Sequence, residues 1–504
     1  MLHQEGVCEV LQKSGWFLLS FFLTLLVLVI GTYLIRKWEA KARARAKIRE
    51  AQKRREESLK KMENTIERLK RQGHDSTCGM AYYLGKPAEE DAVIVKVLKS
   101  HGAIPFVKTN IPQTMLSFDC SNPIFGQTLH PQNPKKTPGG SSGGEGALLA
   151  SGGSIIGFGT DTGGSIRIPC AFCGVYGIKL TGFRVSYNGV NSSVKGKKSV
   201  VTMAGPMARD VDSLVLLLRL LLSEYMFQLD PTVPPMPFKE EVYSSTQPLR
   251  IGYVETDGYS QPSPSMLRAT RDVSKKLQAA GHQIIPFSMP RVDYAMSKLF
   301  LAGLYADGGQ TLLEKLYGDI IDPSMSSIVS ILRLPDFVKC FLSKILRPME
   351  PRTAENLNAL RGVKTPKNLW KQHVAVEDYQ KEVMASWRAH NLDVLLYPAL
   401  CPAFDIGSPS KASGPTSYMS LFNVLNFPMG VVPVGKVTQQ DEEELASYRG
   451  YYGDSIDKNF KKAIEGSVTL PIAVQCVALP WREEICLRFM KEVETVVHEE
   501  KRSE

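Results

Sequence analysis

Histidine is scarce: the 504 residues include eight, and none stands in a recognisable Ser-His-Asp pattern. A serine hydrolase using an imidazole base is therefore not what this chain presents. The nine cysteines are scattered, which is no disulfide framework and suits reducing, cytosolic surroundings. Cys170 and Cys173 form a CxxC, but no second pair completes a zinc site, so both read as packed thiols. Neither GxxxxGK[ST] nor a strand–GxGxxG–helix unit occurs, which removes the common phosphate cradles. Basic charge is missing from most of the chain. The net charge is +10, but residues 36–72 alone hold 15 Lys/Arg against 6 Asp/Glu. The rest is almost neutral, so a basic face for nucleic acid is not expected.

Several features are present. Residues 14–35, SGWFLLSFFLTLLVLVIGTYLI, form an uncharged apolar run long enough to span a bilayer, with Trp16 and Tyr33 near its ends. Cations begin directly behind it at Arg36-Lys37, which predicts a short lumenal N-terminus (1–13) and a cytoplasmic remainder. Glycosylation at the sequon Asn191-Ser192-Ser193 would contradict that topology. Residues 36–72 contain no Gly or Pro and read as one basic amphipathic helix, its first half against anionic headgroups. Leu59, Met62, Ile66 and Leu69 fall at a/d spacing, which suits self-association.

From Gly73 to the end the text reads as one domain. A helix is predicted over 89–100 and a buried strand over 103–107. Further strands are predicted at 249–255, 283–287, 394–397, 430–434 and 471–477, with a last helix over 482–497. Ser263-Pro264 starts a helix by N-cap and N1 logic and Gly281 ends it. This alternation implies an α/β domain with a mixed, mostly parallel sheet covered by helices. Residues 328–348, IVSILRLPDFVKCFLSKILRP, place Phe337, Phe341 and Ile345 on one helical face, with Lys339, Lys344 and Arg347 around the other side. That pattern suits a helix in the membrane interface, or a core-facing helix with a solvated back.

The chain is organised around residues 138–182, PGGSSGGEGALLASGGSIIGFGTDTGGSIRIPCAFCGVYGIKLTG. Gly/Ser clusters alternate with apolar runs, which suits tight loops joined by a short helix and a buried strand. Thr162-Gly163-Gly164-Ser165 aims consecutive amides at one point beside a serine, an arrangement that holds an oxyanion. It also suits a Gly-rich packing loop with capping serines.

This stretch resembles the amidase signature. Residues 73–504 resemble, nearly throughout, the membrane-bound fatty-acid amide hydrolases of vertebrates in that family. The supporting runs are GHDSTCGM (73–80), GAIPFVKTNIPQTMLSFDCSNPIFGQT (102–128), GPMARDVDSL (205–214), LDPTVPPMPFKEEVY (229–243) and PIAVQCVALPWREE (471–484). The resemblance implies the amidase-signature fold and a Ser–Ser–Lys triad: Ser165 as acyl-accepting nucleophile, Ser141 as bridging serine. It implies an oxyanion and substrate-binding set of Met115, Ser142, Thr162, Gly163 and Gly164. It places Phe118, Leu304 and Tyr305 along an acyl channel and 328–348 as a membrane-dipping cap. It implies cleavage of N-acylethanolamines and primary fatty amides through an acyl-enzyme, with no metal or organic cofactor. It further implies a homodimer, membrane lipid as a partner, and an endoplasmic reticulum or other endomembrane location.

One family element is absent. The catalytic lysine of the family ends a short apolar strand a few residues before GHDST. Here residues 62–72 read MENTIERLKRQ, and counting back along the pattern lands on Ile66. Lys70 is the nearest substitute, but it sits between Arg68 and Arg71 in a charged helical run and should stay solvated. Impaired activity is expected. The competing expectation is a non-catalytic, membrane-anchored homologue that binds acyl ligands or dimerises.

Overall fold

In the computed structural model, the described residues are 28, 30–54, 57 and 75–503. Most of the predicted span at 14–35, the a/d heptads and Lys70 lie outside them. Among the described residues no helix is long and apolar enough to cross a membrane.

Helix α1 (30–54) lies on the domain through a stripe of small and apolar residues. Ala44 and Ile48 are buried against Ala81, Leu84 and Ile124, and Gln52 Nε2 donates to the Pro123 carbonyl at 3.4 Å. The stripe is therefore covered by protein rather than headgroups, while Arg43, Arg45, Lys47 and Arg49 stay exposed.

The core is an eight-stranded sheet. In chain order its strands are β1 (Ile156–Asp161), β2 (Tyr176–Lys179), β3 (Met203–Ala208), β4 (Arg250–Tyr253), β5 (Gln283–Pro286), β6 (Val394–Pro398), β7 (Met429–Lys436) and β8 (Pro471–Val477). Their spatial order is β1-β3-β2-β7-β8-β6-β4-β5. Only β6–β4 and β4–β5 pair in parallel; the other neighbours are antiparallel. The sheet is mixed as expected, but its antiparallel pairs outnumber the parallel ones, which corrects the expected parallel majority. Helix–strand alternation fixes the direction of successive strands, not which strand comes to lie between them. Here β3 inserts between β1 and β2, and β8 between β7 and β6.

Local signals held where capping chemistry was explicit. The Ser263 side chain accepts from Met266 N, Pro264 opens the helix Pro264–Ala279, and Gly281 follows at φ +94°. Residues 103–107 are the clear correction: they form no strand, and Ile104, Phe106 and Val107 are 75%, 64% and 51% exposed. Their apolar run needs a neighbouring strand to bury it. On the opposite side of β1 from β3 no strand is paired among the described residues, and Ile155, just before β1, is 73% exposed. The buried strand expected within the Gly/Ser stretch is therefore an edge.

The cap is also broken where one helical face was expected. The chain turns at Leu334-Pro335 between the helices Pro323–Arg333 and Asp336–Leu346. Phe337, Phe341 and Ile345 do share an exposed face. Lys339, expected among the flanking cations, is buried, donating to the carbonyls of Leu332 and Leu360. It ties the second helix to the first and to the turn after Pro351–Ala359.

Candidate active site

Two loops meet at the end of β1. The first, 138–142, passes so close to Ser117-Phe118 that a Cβ on Gly140 would sit 2.8 Å from the Ser117 carbonyl oxygen. Its Gly140–Ser141 peptide is cis, and Ser141 is buried. The second runs from Asp161 to Ser165. They are joined directly: Ser142 N donates to the Ser165 carbonyl at 3.1 Å. The Ser142 hydroxyl accepts from Thr160 N at 3.2 Å and lies over Gly159, where a Cβ would clash at 2.5 Å. The two predicted catalytic serines are thereby held on adjoining backbones. Neither side-chain hydroxyl has a hydrogen-bond partner among the described residues.

Asp161 shapes the nucleophile loop. Its carboxylate accepts from Gly164 N at 2.8 Å and Ile166 N at 3.2 Å, curling the chain around Ser165. It also accepts from Arg167 Nε at 3.0 Å and Nη2 at 2.9 Å, and both side chains are fully buried. Burial alone would raise this acid; the Arg167 guanidinium more than offsets it and holds Asp161 at about 2. Arg167 continues to the Met419 carbonyl and Asn423 Oδ1, both at 2.7 Å, on the buried helix Ser417–Val424. Ser420 Oγ donates to the Gly163 carbonyl at 2.9 Å.

This scaffold narrows the expected oxyanion set. The Gly164 N–H is taken by Asp161, whereas the N–H groups of Gly163 and Ser165 have no described partner. Thr162 is held by its hydroxyl, 2.8 Å from that of Thr202. Asp161, Arg167, Ser420, Asn423 and Thr202 were missed by reading motifs alone. A signal existed for two of them: Asp161 and Arg167 are the charges flanking an otherwise neutral Gly/Ser run.

Met115, at φ +59°, packs in one cluster with Leu301, Leu304 and the buried Tyr305. Leu304 also reaches the main core, where Phe118 lies with its ring 5.7 Å from Phe404. The predicted acyl-channel residues therefore fall on two sides of Leu304. Cys170 and Cys173 are buried in the helix Arg167–Cys173, as packed thiols should be. Among the described residues no His/Cys/Asp/Glu group could hold a metal.

The described buried lysines have other partners. Lys136 binds the Ala463 and Glu465 carbonyls and Asp405, while Lys179 donates to the Leu180 carbonyl at 3.0 Å. Desolvation, with help from the Arg167 charge, lowers Lys179 to about 7. No lysine engages the hydroxyl of Ser141 or Ser165 among the described residues.

The chain is 55% identical over 425 residues to "Fatty-acid amide hydrolase 1" of Sus scrofa, covering 84% of this chain and 73% of the pig protein. It is 59% identical over 304 residues to the "Vitamin D3 hydroxylase-associated protein" of Gallus gallus, covering 60% and 66% of the two chains. A solved "Fatty acid amide hydrolase" structure superposes with a TM-score of 0.69 at 26% identity, covering 84% of this chain and 71% of that one. The Amidase family profile matches residues 43–487, and the chain belongs to that family, as a homologue of the fatty-acid amide hydrolases.

Proposed function

We propose that this chain is a membrane-associated serine amidase of fatty-acid amides, N-acylethanolamines and primary fatty amides among them. In this reading Ser165 Oγ attacks the amide carbonyl, and the resulting oxyanion is met by the N–H groups of Gly163 and Ser165. One such donor is typically worth about 3 kcal/mol. The Ser165 proton passes through Ser141 towards a base, the amine leaves, and water releases the fatty acid from the acyl-enzyme. Met115, Leu304 and Tyr305 receive the acyl chain, with Phe118 beyond Leu304. The observation that carries the reading is the Ser142–Ser165 backbone bond, which sets Ser141 beside a nucleophile loop curled by Asp161.

The base is the weak link. A neutral hydroxyl needs an adjacent proton acceptor, and loss of a general base typically costs 10²–10⁴-fold, to order of magnitude. The purified full chain in detergent should therefore label with a fluorophosphonate at Ser165 slowly, about 10²–10⁴-fold slower than the pig relative. Labelling should vanish in Ser165→Ala. Folded protein that never labels would sink the hydrolase reading and favour the second one: a non-catalytic protein that binds acyl ligands or dimerises with a complete relative. The open edge beside β1 and the lack of a lysine at Ser141 among the described residues support that alternative.

Membrane association is supported by the apolar run at 14–35 and by the exposed Phe337, Phe341 and Ile345 with Lys344 and Arg347 alongside. A cytoplasmic domain on an endoplasmic-reticulum or other endomembrane, and a homodimer, belong to the same proposal.

A further inference from the structure

Helix α1 rests on the turn that follows the helix Gln310–Lys315. A Cβ on Gly318 of that turn would sit 2.3 Å from Ala40 Cβ, so α1 lies directly on its backbone. Ile320, two residues further, packs into the cluster that buries Ala44 and Ile48. Asp319 between them is buried, and its Oδ2 accepts from Ala81 N at 2.9 Å, which ties the turn to the same cluster. One side of segment 318–322 is therefore set by α1.

Its other side meets Gln113. This side chain is fully buried and uses both ends of its amide on the segment. Nε2 donates to the Ile320 carbonyl and Oε1 accepts from Asp322 N, both at 2.8 Å. Asp322 is held in turn by Ser121 Oγ, which donates to its Oδ2 at 2.9 Å. Ile320 is thus shared: its side chain belongs to the α1 contact and its carbonyl to Gln113. The next two residues, Thr114 and Met115, have φ of +70° and +59°, a left-handed backbone that residues with a Cβ rarely adopt. Such a conformation persists only where its surroundings over-determine it. Thr114 N donates to the Cys78 carbonyl at 2.8 Å, and the Gln113 amide supplies a second restraint. Met115 then packs with Leu304, Tyr305 and Met325, the last of these three residues beyond Asp322.

We propose that helix α1 is a positioning element for the binding of an acyl ligand. Docked on the domain, it fixes segment 318–322, and Gln113, a positioning residue, passes that constraint to the strained Met115 turn. Release of this arm, which follows the apolar run at 14–35, loosens the grip on the acyl chain. The proposal rests on reading the cluster of Met115, Leu304 and Tyr305 as the acyl site.

The test uses the full chain in neutral detergent and three readouts: trypsin cleavage within 36–54, displacement of a fluorescent fatty-acid amide by oleamide, and fluorophosphonate labelling of Ser165. Ala44→Arg puts a long charged side chain where a methyl is buried. It should speed cleavage of α1 and weaken oleamide binding about tenfold, within the usual range of coupling between sites. Labelling of Ser165 should keep its wild-type rate, since the Asp161 clamp lies outside this chain of contacts; a general loss of folding would lower it. Gln113→Met keeps the side-chain length without the amide. It should leave α1 protected from trypsin yet weaken oleamide by a similar factor. The double variant should bind oleamide no more weakly than either single one, because both act through the same contacts. If Ala44→Arg loses its cooperative unfolding transition, Ala40→Val, which presses on Gly318, takes its place with the same expectations. Rapid cleavage of α1 with unchanged oleamide binding overturns the proposal and leaves the acyl-amide reading standing, as does a double variant weakened by the product of the two single effects. A wild-type chain that does not bind oleamide overturns both.

Discussion

Asp161 does more for the candidate site than either serine can do alone. It uses one oxygen on Gly164 N and the other on Ile166 N, and both on Arg167. Substituting Asp161→Asn would leave the Arg167 guanidinium buried without its counter-charge, a change that typically costs about 3–5 kcal/mol. The urea midpoint should fall accordingly, and fluorophosphonate labelling of Ser165 should fall with it. The pH dependence has a definite sign. Asp161 is held at about 2, below its ordinary unfolded value near 3.9. The pair's contribution is thus complete above about pH 5 and is lost as pH falls through 2, roughly 2.6 kcal/mol in all. Acid titration of unfolding in wild type and Asp161→Asn measures that difference. A variant as stable as wild type at pH 7 would show that Asp161 is not the clamp.

At the scale of elements, the helix Asp336–Leu346 separates two roles that its sequence mixes. Phe337, Phe341 and Ile345 are 75%, 62% and 54% exposed, whereas Lys339 is turned inward to cap the preceding helix. Fully burying a large apolar side chain is worth about 1.5–3 kcal/mol. Partial insertion into a bilayer interface gives less per residue. Phe337→Ser with Phe341→Ser should weaken binding of the detergent-free protein to anionic vesicles by about tenfold or more in a flotation assay, with the urea midpoint unchanged. Equal flotation of variant and wild type would remove this helix from the membrane contact. The helix was legible from its apolar spacing, but the break at Leu334-Pro335 and the inward Lys339 were not. Whether a lysine faces water or two orphaned carbonyls depends on the neighbouring helix, not on its own.

For the molecule as a whole, the telling feature is where the sheet stops. With β3 on one side of β1 and no strand on the other among the described residues, backbone groups of β1 present a pairing edge. Ile104, Phe106 and Val107 form a second exposed apolar run. Such edges template association unless charged or covered. Ile155→Lys should therefore shift the detergent-solubilised protein away from aggregates in size-exclusion light scattering, without abolishing Ser165 labelling. Aggregation indifferent to that substitution would place the association elsewhere.

By itself the sequence determined the elements whose causes are local. Pro264 and Ser263 start a helix, 471–477 forms a strand, and the Gly/Ser clusters turn tightly, because those outcomes follow from φ preference, capping and apolar periodicity. The family resemblance also singled out Ser141 and Ser165 as candidates, since a Gly-rich loop can be recognised before its surroundings are known. Only the tertiary structure decided which strands became neighbours, that 103–107 lies exposed, that Gly164 gives its N–H to Asp161, and that Lys339 turns inward. Each of these depends on what residues far apart in the chain bring to the same place, and hydrogen bonds and desolvation act through space rather than along the backbone.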